Sequence, residues 1–355
     1  MQPYNIEIFG RDYVLKQHYN TESIEYKMDY LSIEENSVYL PFQSDIKKGD
    51  YIRVCNNIDD YFGVITSIVI DEKNEGYCTV GFKPFIAIFD ANIPFDISAQ
   101  GSGTLEDAIA DYITSNWISG SDSSQNIAGL SVETISETSN WTFYISSSSG
   151  LSIELVNFES IIQEALTKYR VGLYIEPSIG TQKINLKIGI KTAAAYTIEA
   201  DLPNVIERSI IFNKTKSDTN KLIVYNKDNL TQTAIYYLHP NGTYNTTDNN
   251  RIVPVIYETA EVSPSGGKTF ADLAQEEANK LFGNNFEKNL IELRVLNEDV
   301  LVKASSLEIG RLVNIICNGI TYQSLLTGYE IEHTTKLIFG TVRIDLTKIL
   351  KGVLK

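Results

Sequence analysis

The sequence predicts a mostly β protein of the α+β class: two similar β-barrel domains at the two ends of the chain, with an α+β module inserted between them. Three observations carry that expectation. Long stretches alternate apolar and polar residues with period two and are bounded by Gly and Asn/Asp turns. A helical period appears in only three places. The segment "KKGDYIRVCNNIDDYFGVITSIVID" (47–71) also recurs, without a gap, as "EIGRLVNIICNGITYQSLLTGYEIE" (308–332).

At the constant offset of this repeat, Gly49 meets Gly310, Asn57 meets Asn318, Tyr61 meets Tyr322, Thr66 meets Thr327 and Ile70 meets Ile331. Tyr51/Leu312, Ile52/Val313, Val54/Ile315, Val64/Leu325, Ile65/Leu326 and Ile68/Tyr329 agree in apolar character. None of the shared positions carries catalytic chemistry. What recurs is a strand, a turn and a second strand, and such a pair cannot bury its apolar face alone. Each copy therefore implies a β-domain of its own. Gly49 and Gly310 precede the paired strands and are expected to take a backbone conformation that other residues disfavour.

In chain order, residues 1–95 form the first β-barrel. "YNIEIFG" and "ESIEYKMDYLSI" alternate, while "YIRVC", "FGVITSIVI" and "YCTVGFKPFIAIF" are rich in β-branched and aromatic residues. Pro84 breaks the last run and marks a bend or an edge. Residues 96–205 form the α+β insert. Its first helix opens at Thr104, with Asp107 completing the cap, and puts Leu105, Ala108, Ile109, Tyr112, Ile113 and Trp117 on one face. Its second, "FESIIQEALTKY", follows a cap at Asn157. Residues 206–355 form the second β-barrel, with a hairpin at the Asn-Gly pair of "PNGT" (240–243) and a helix over 269–282. That helix starts at a Thr269/Asp272 cap and stops at Gly283, and "TKILKGVLK" closes the sequence as a short helix or strand.

The bulk properties exclude several function classes. At 355 residues the chain exceeds a single ordinary core. A formal net charge of −15 opposes tight binding to a phosphate backbone. There is no apolar run of roughly 18 residues to span a membrane, and "MQPYNIEIFGRDYVL" lacks the basic flank and apolar core of a signal peptide. Cys55, Cys78 and Cys317 are scattered through strand patterns and read as small buried hydrophobes.

Residues with catalytic potential do not converge. His18, His239 and His333 lie far apart, outside any metal-binding spacing, and read as exposed turn histidines. "GSG" (101–103) precedes a helix but has neither the lysine nor the preceding strand of a phosphate loop, so it reads as a hinge. The acid pairs Asp59/Asp60, Asp71/Glu72 and Glu276/Glu277 read as solvated turns and faces. "NGTYNTTDNN" (241–250) lacks the spacing of a calcium loop. No catalytic, metal or cofactor residue is assigned, and the chain is expected not to be an enzyme.

The layout has a counterpart. A strand and hairpin in "KLIVYNKDN…IYYLHPNGTYNTTDNNRIVPV" lead to the helix "TFADLAQEEANKLF", the strand "NLIELRVL" and the second repeat copy. This order resembles the tail-tip or baseplate hub proteins of long-tailed phages and prophages, which are similar in fold to the hubs of contractile tails and type VI spikes. The resemblance rests on the order of elements across nearly the whole chain, with no single diagnostic motif. It implies a structural virion protein of the tail tip, made in the bacterial host cytoplasm. It implies a homotrimer whose two barrels per chain form a pseudo-six-fold ring. That ring would cap the tail tube, dock to a hexameric distal tail ring protein, contact the tail tube or tape-measure protein, and gate DNA that passes without specific binding. Many relatives carry a lytic or fibre module after the second barrel, and none is recognisable here. The competing readings are a carbohydrate- or cell-surface-binding β-protein without catalysis, and a hydrolase built from distant acids.

Overall fold

Alternating burial along the N-terminal strands builds the first sheet. The structure, a computed structural model, describes residues 4–340 apart from 22–23, 25, 32–34, 56–59, 75, 97–101, 140, 142, 144–152, 192–195, 212–218, 241–242, 250, 265–268, 283–289 and 297–307. Strands β1 (Tyr4–Phe9), β2 (Leu15–Thr21), β4 (Asn36–Pro41), β5 (Tyr51–Cys55), β6 (Asp60–Ile70) and β7 (Tyr77–Pro84) pair in the order β2-β1-β5-β6-β7-β4. Every pairing is antiparallel. Ile6, Ile8, Val38, Leu40, Ile52, Val54, Tyr61, Ile65, Val80 and Phe82 turn to one face and make its core. The sheet curls until a side chain joins its two edge strands: Gln17 Nε2 on β2 donates to Pro41 O on β4 at 3.0 Å. Pro84 ends β7, and the chain turns there into a 3-10 helix, Phe85–Phe89.

A second sheet comes mostly from the C-terminal third. It contains β13 (Tyr196–Glu199), β14 (Val205–Ile211), β19 (Leu290–Leu296), β20 (Leu312–Cys317), β21 (Ile320–Ile331) and β22 (Thr334–Phe339), in the order β13-β20-β21-β22-β19-β14. One strand crosses over from the N-terminal region. β3 (Tyr26–Asp29) pairs antiparallel with the far end of β21, from Gly328↔Asp29 to Ile331↔Tyr26. As a result Ile331 packs into the core of the first sheet, and Tyr329 touches both cores.

Between the sheets lies an α+β layer. It comprises β8 (Asn92–Asp96), α1 (Leu105–Ile113), β9 (Leu130–Thr134), β10 (Ile153–Asn157), α2 (Phe158–Tyr169), β11 (Gly172–Ser178) and β12 (Lys183–Gly189). β8 pairs with β10, and β12 lies between antiparallel β11 and parallel β9. Helix α1 ends at Ile113 and continues as a π turn, Thr114–Ile118, which buries Trp117 against Phe89 and Phe158 at ring-centroid distances of 5.0 and 5.3 Å. Thr104 Oγ1 accepts from Asp107 N, as the cap pattern predicts. Buried Glu106 ties the same first turn to the strand region beyond β9, accepting from Thr138 N at 2.7 Å and from the Ser136 and Thr138 hydroxyls. Asn157 does not cap α2. Its amide donates to Asp90 Oδ1 at 2.9 Å instead, and a left-handed Arg170 closes the other end.

A fourth core stands apart. β15 (Lys221–Asn226), β16 (Asn229–Leu238), β17 (Tyr244–Asn245) and β18 (Tyr257–Val262) form a four-stranded sheet covered by α3 (Phe270–Phe282). Leu222, Val224, Tyr236 and Leu238 pack against Phe270, Ala274, Ala278 and Phe282. Thr269 and Asp272 cap α3 reciprocally: Thr269 N donates to Asp272 Oδ2 at 3.0 Å, and Asp272 N donates to Thr269 Oγ1 at 3.2 Å. This module is inserted between β14 and β19. The Asn-Gly pair at 241–242, Gly283 and residues 347–355 lie outside the described residues.

Candidate assembly surface: the repeated strand module

The two sequence copies fold into the same object, down to the backbone hydrogen bonds. In the first, Asp50 N donates to Lys47 O at 3.1 Å and closes a turn with Gly49 at φ 90°. In the second, Arg311 N donates to Glu308 O at 3.0 Å around Gly310 at φ 83°. A positive φ at the third turn position favours glycine. Each turn is then clamped to the next strand in the same way. Gly49 N donates to Ile65 O and Ile65 N to Asp50 O, while Gly310 N donates to Leu326 O and Leu326 N to Arg311 O.

The shared threonines mark a shared irregularity. The pairing of β6 with β7 shifts register between Ile65 and Ser67, so that Thr66 is the extra residue. The pairing of β21 with β22 shifts between Leu326 and Gly328, around Thr327. A bulge bends a strand and raises its twist, and both copies are bent at the same place.

The equivalence extends beyond the legible repeat. Phe82 on β7 lies opposite Ile65, as Phe339 on β22 lies opposite Leu326. Asn36 on β4 lies opposite Phe82, as Ile291 on β19 lies opposite Phe339. Thus β4-β5-β6-β7 and β19-β20-β21-β22 share chain order and sheet order. The flanks differ: β5 is joined by antiparallel β1, whereas β20 is joined by parallel β13.

Of the remaining repeat positions, Tyr61 is fully buried, edge-on to Tyr26 and Phe82 at 5.4 Å each. Tyr322 is half-buried against the second core. Asn318 and Gly319 form the two-residue turn between β20 and β21, with φ 50° and 73°. Asn318 N donates to Asp201 Oδ2 at 2.6 Å, and this bond, with smaller help from Cys317 and Arg208, lowers the Asp201 pKa. Asn57 lies outside the described residues.

Different neighbours press on the two turn glycines. Arg11 lies over Gly49 and donates through Nε to Gly49 O at 3.2 Å. Over Gly310 lies the buried ring of Tyr174, from β11 of the middle layer. Burial lifts the Tyr174 hydroxyl well above the usual phenol range. Lys191 Nζ sits 4.1 Å from the centre of that ring and pairs with Glu308. Tyr30 ties three regions together. Its N–H donates to Thr327 O at 2.9 Å, and its hydroxyl accepts from Leu173 N at 3.0 Å, in a site whose burial raises its pKa strongly. No sequence signal pointed to Tyr30, because its partners lie about 140 and 300 residues away.

The three histidines take different settings. His18 is exposed as predicted but lies within β2, opposite Glu7, rather than in a turn, and His333 is exposed in the turn before β22. His239 departs from the exposed turn position predicted for it: it is buried, with Nε2 3.0 Å from Asn245 Oδ1, because β17 folds back over it. Cys78 and Cys317 are buried and Cys55 is half-buried, and burial raises all three thiol pKa values. Among the described residues no three His, Cys, Asp or Glu side chains cluster as a metal site. No described helix is long and apolar enough to cross a membrane. A shallow depression over β14, β19 and β22 is lined by Glu207, Arg208, Glu292, Arg294 and Lys336, and these are paired: Arg294 with Glu207 at 3.0 Å, Lys336 with Glu292 at 3.0 Å, Arg208 with Asp201.

No protein-family model matches the chain, and no curated protein matches it in sequence. Solved structures do match. The tail protein from Neisseria meningitidis MC58 superposes with a TM-score of 0.52 at 14% identity, over 95% of this chain and 96% of that one. The 43 kDa tail protein of prophage MuSo2 from Shewanella oneidensis superposes with a TM-score of 0.52 at 12% identity, over 96% and 98%. At such identities the likeness is one of fold. This chain has the fold of these tail proteins along nearly its whole length.

Proposed function

We propose that the chain is a structural hub of a phage or prophage tail tip, and that three copies form a ring of six equivalent β units. The observation that carries this reading is the duplicated module. Two copies with the same turn, bulge and strand order within one chain let a three-fold assembly present six like surfaces. Such a ring fits a hexameric tail ring protein above it and surrounds a channel, and each curled sheet closes into a barrel on assembly. Gating is mechanical: the hub caps the tail tube, with the tape-measure protein as a further contact, and opens on host contact to pass DNA. The net charge of −15 suits that passage, because a lumen that does not attract phosphate lets DNA slide.

The reading as a carbohydrate-binding protein has less support. Both tryptophans, Trp117 and Trp141, are buried in the middle layer, where they offer no stacking platform.

Light scattering at micromolar concentration tests the trimer. The chain is 39.8 kDa, so a mass of roughly 120 kDa is expected. A mass near that of one chain, also after addition of the ring protein of the same tail, overturns the reading.

A further inference from the structure

Within the chain, β3 runs beside β4 and adds to the edge of β21. Asn36 at the start of β4 holds it there, with Oδ1 accepting from Lys27 N and Nδ2 donating to Lys27 O, both at 2.8 Å. On its other side β3 bonds to Gly328–Ile331, beyond the reach of β20. The repeat fixes the counterparts of this joint. Ser67–Ile70 on β6 correspond to Gly328–Ile331. β14, which runs beside β19, corresponds to β3, with Ile210 opposite Ile291 where Lys27 lies at Asn36.

Among the described residues both counterparts are unpaired edges. β5 covers β6 only as far as Val64, and among the described residues no strand pairs with Ser67–Ile70 on the side away from β7. Asp71 N donates to Tyr77 O, so by strand alternation Ile68 and Ile70 turn their N–H and C=O groups to the open side. Equivalent Thr327 accepts from Tyr30 N on that side of β21. The side chains agree. Ile331 is 5% exposed under β3, whereas Ile70, on the core face opposite buried Cys78, is 49% exposed and Val69 is 62% exposed. These four residues carry no charge and no proline, the usual guards of an edge. β14 is likewise an edge strand, with Glu207, Arg208 and Ser209 exposed.

We propose that β14 of one copy adds as an antiparallel strand to Ser67–Ile70 of the next, repeating between chains the joint that β3 and β21 make within a chain. Each copy carries one donor edge and one acceptor edge, so the contact is head-to-tail and closes a ring when the rotation allows. Three chains then hold six like joints, three internal and three between copies. The choice of a second copy as occupant rests on the ring reading above.

Two variants and one exchange measurement test it. Ile70→Lys places a charge on the acceptor rim. Ile210→Pro removes an N–H that points to the free side of β14. Gly340 N donates to Leu325 O, so by alternation Phe339 bonds to Ile291, and the N–H of Ile210, opposite Ile291, faces outward. Each variant is expected to lose the trimer and to run near the mass of one chain, with an unchanged circular dichroism spectrum. Mixed one to one, they keep one intact pair of edges between them and are expected to form dimers. In the native trimer the amides of Ile68 and Ile70 are expected to exchange at least about tenfold more slowly than in diluted monomer. This readout needs no variant to fold. A trimer with both amides unprotected, or with both variants still trimeric, overturns the strand joint and leaves the ring standing. A chain that stays monomeric overturns both. Protection that appears only when another tail protein is added assigns the edge to that protein and overturns a second copy as occupant.

Discussion

The two copies of the strand module differ most where they meet the rest of the molecule. In the first, the turn at Gly49 is covered by Arg11, a long side chain from the neighbouring β1–β2 turn. In the second, the turn at Gly310 lies under Tyr174, a buried ring from a different layer. The far end of β21 is covered by β3, whereas among the described residues no strand covers the equivalent end of β6. The backbone core of the module is thus preserved while its surroundings diverge. The parts held constant, a positive-φ glycine and a one-residue bulge, are those that set the bend and twist of the sheet. Curvature is what two units must share to occupy equivalent places in one ring, and side-chain identity is free to drift.

Substituting the two glycines alike breaks the comparison most sharply. An alanine at either costs about 1 kcal/mol for the positive φ. At Gly310 the new methyl group also meets the Tyr174 hydroxyl at 2.6 Å and its ring at 2.8 Å, and overpacking a buried ring adds about 2 kcal/mol. At Gly49 it meets the end of the Arg11 side chain, which can swing away. Chemical denaturation is expected to show Gly310→Ala about 3 kcal/mol and Gly49→Ala about 1 kcal/mol less stable. Equal losses would mean that the surroundings of the two turns do not differ in stiffness.

A smaller effect separates the two ways of holding an outer strand. β14 is held to β19 by a backbone ladder, with one register shift between Val205 and Glu207, but β3 is held to β4 by the Asn36 side chain. Asn36→Ala leaves the Lys27 N–H and C=O without that partner and is expected to cost about 2 kcal/mol. Amide exchange at Met28 and Ile331 should accelerate, because the β3–β21 joint loosens, while β14 stays as protected as before. Loss of protection across the whole first sheet would show instead that Asn36 supports the core.

Much of this fold is legible locally. Helix α2 spans Phe158–Tyr169 as its apolar period predicts, and Thr104, Thr269 and Asp272 cap as their spacing predicts, because those signals act within one helical turn. Asn157 has the right residue type at the right place, yet it spends its amide on Asp90, a tertiary partner 67 residues away. The repeat is legible up to Glu332 and no further, because the turn after β6 spans residues 71–76 while the turn after β21 is only 332–333. A gapless comparison loses phase there, and β7 and β22 go unmatched. β4 and β19 share only alternation, and the decisive Asn36 faces Ile291 in the other copy. The joint of β3 with β21 lies about 300 residues apart in sequence and leaves no local trace.

The most direct test of a duplicated module serving a ring is end-on electron microscopy of the purified assembly. Averages computed without imposed symmetry should show six like lobes around a central opening, with the inserted modules breaking the six-fold to three-fold at larger radius. A particle with three lobes, or with two unlike lobes per chain that do not alternate around one axis, would contradict the equivalence of the two strand modules.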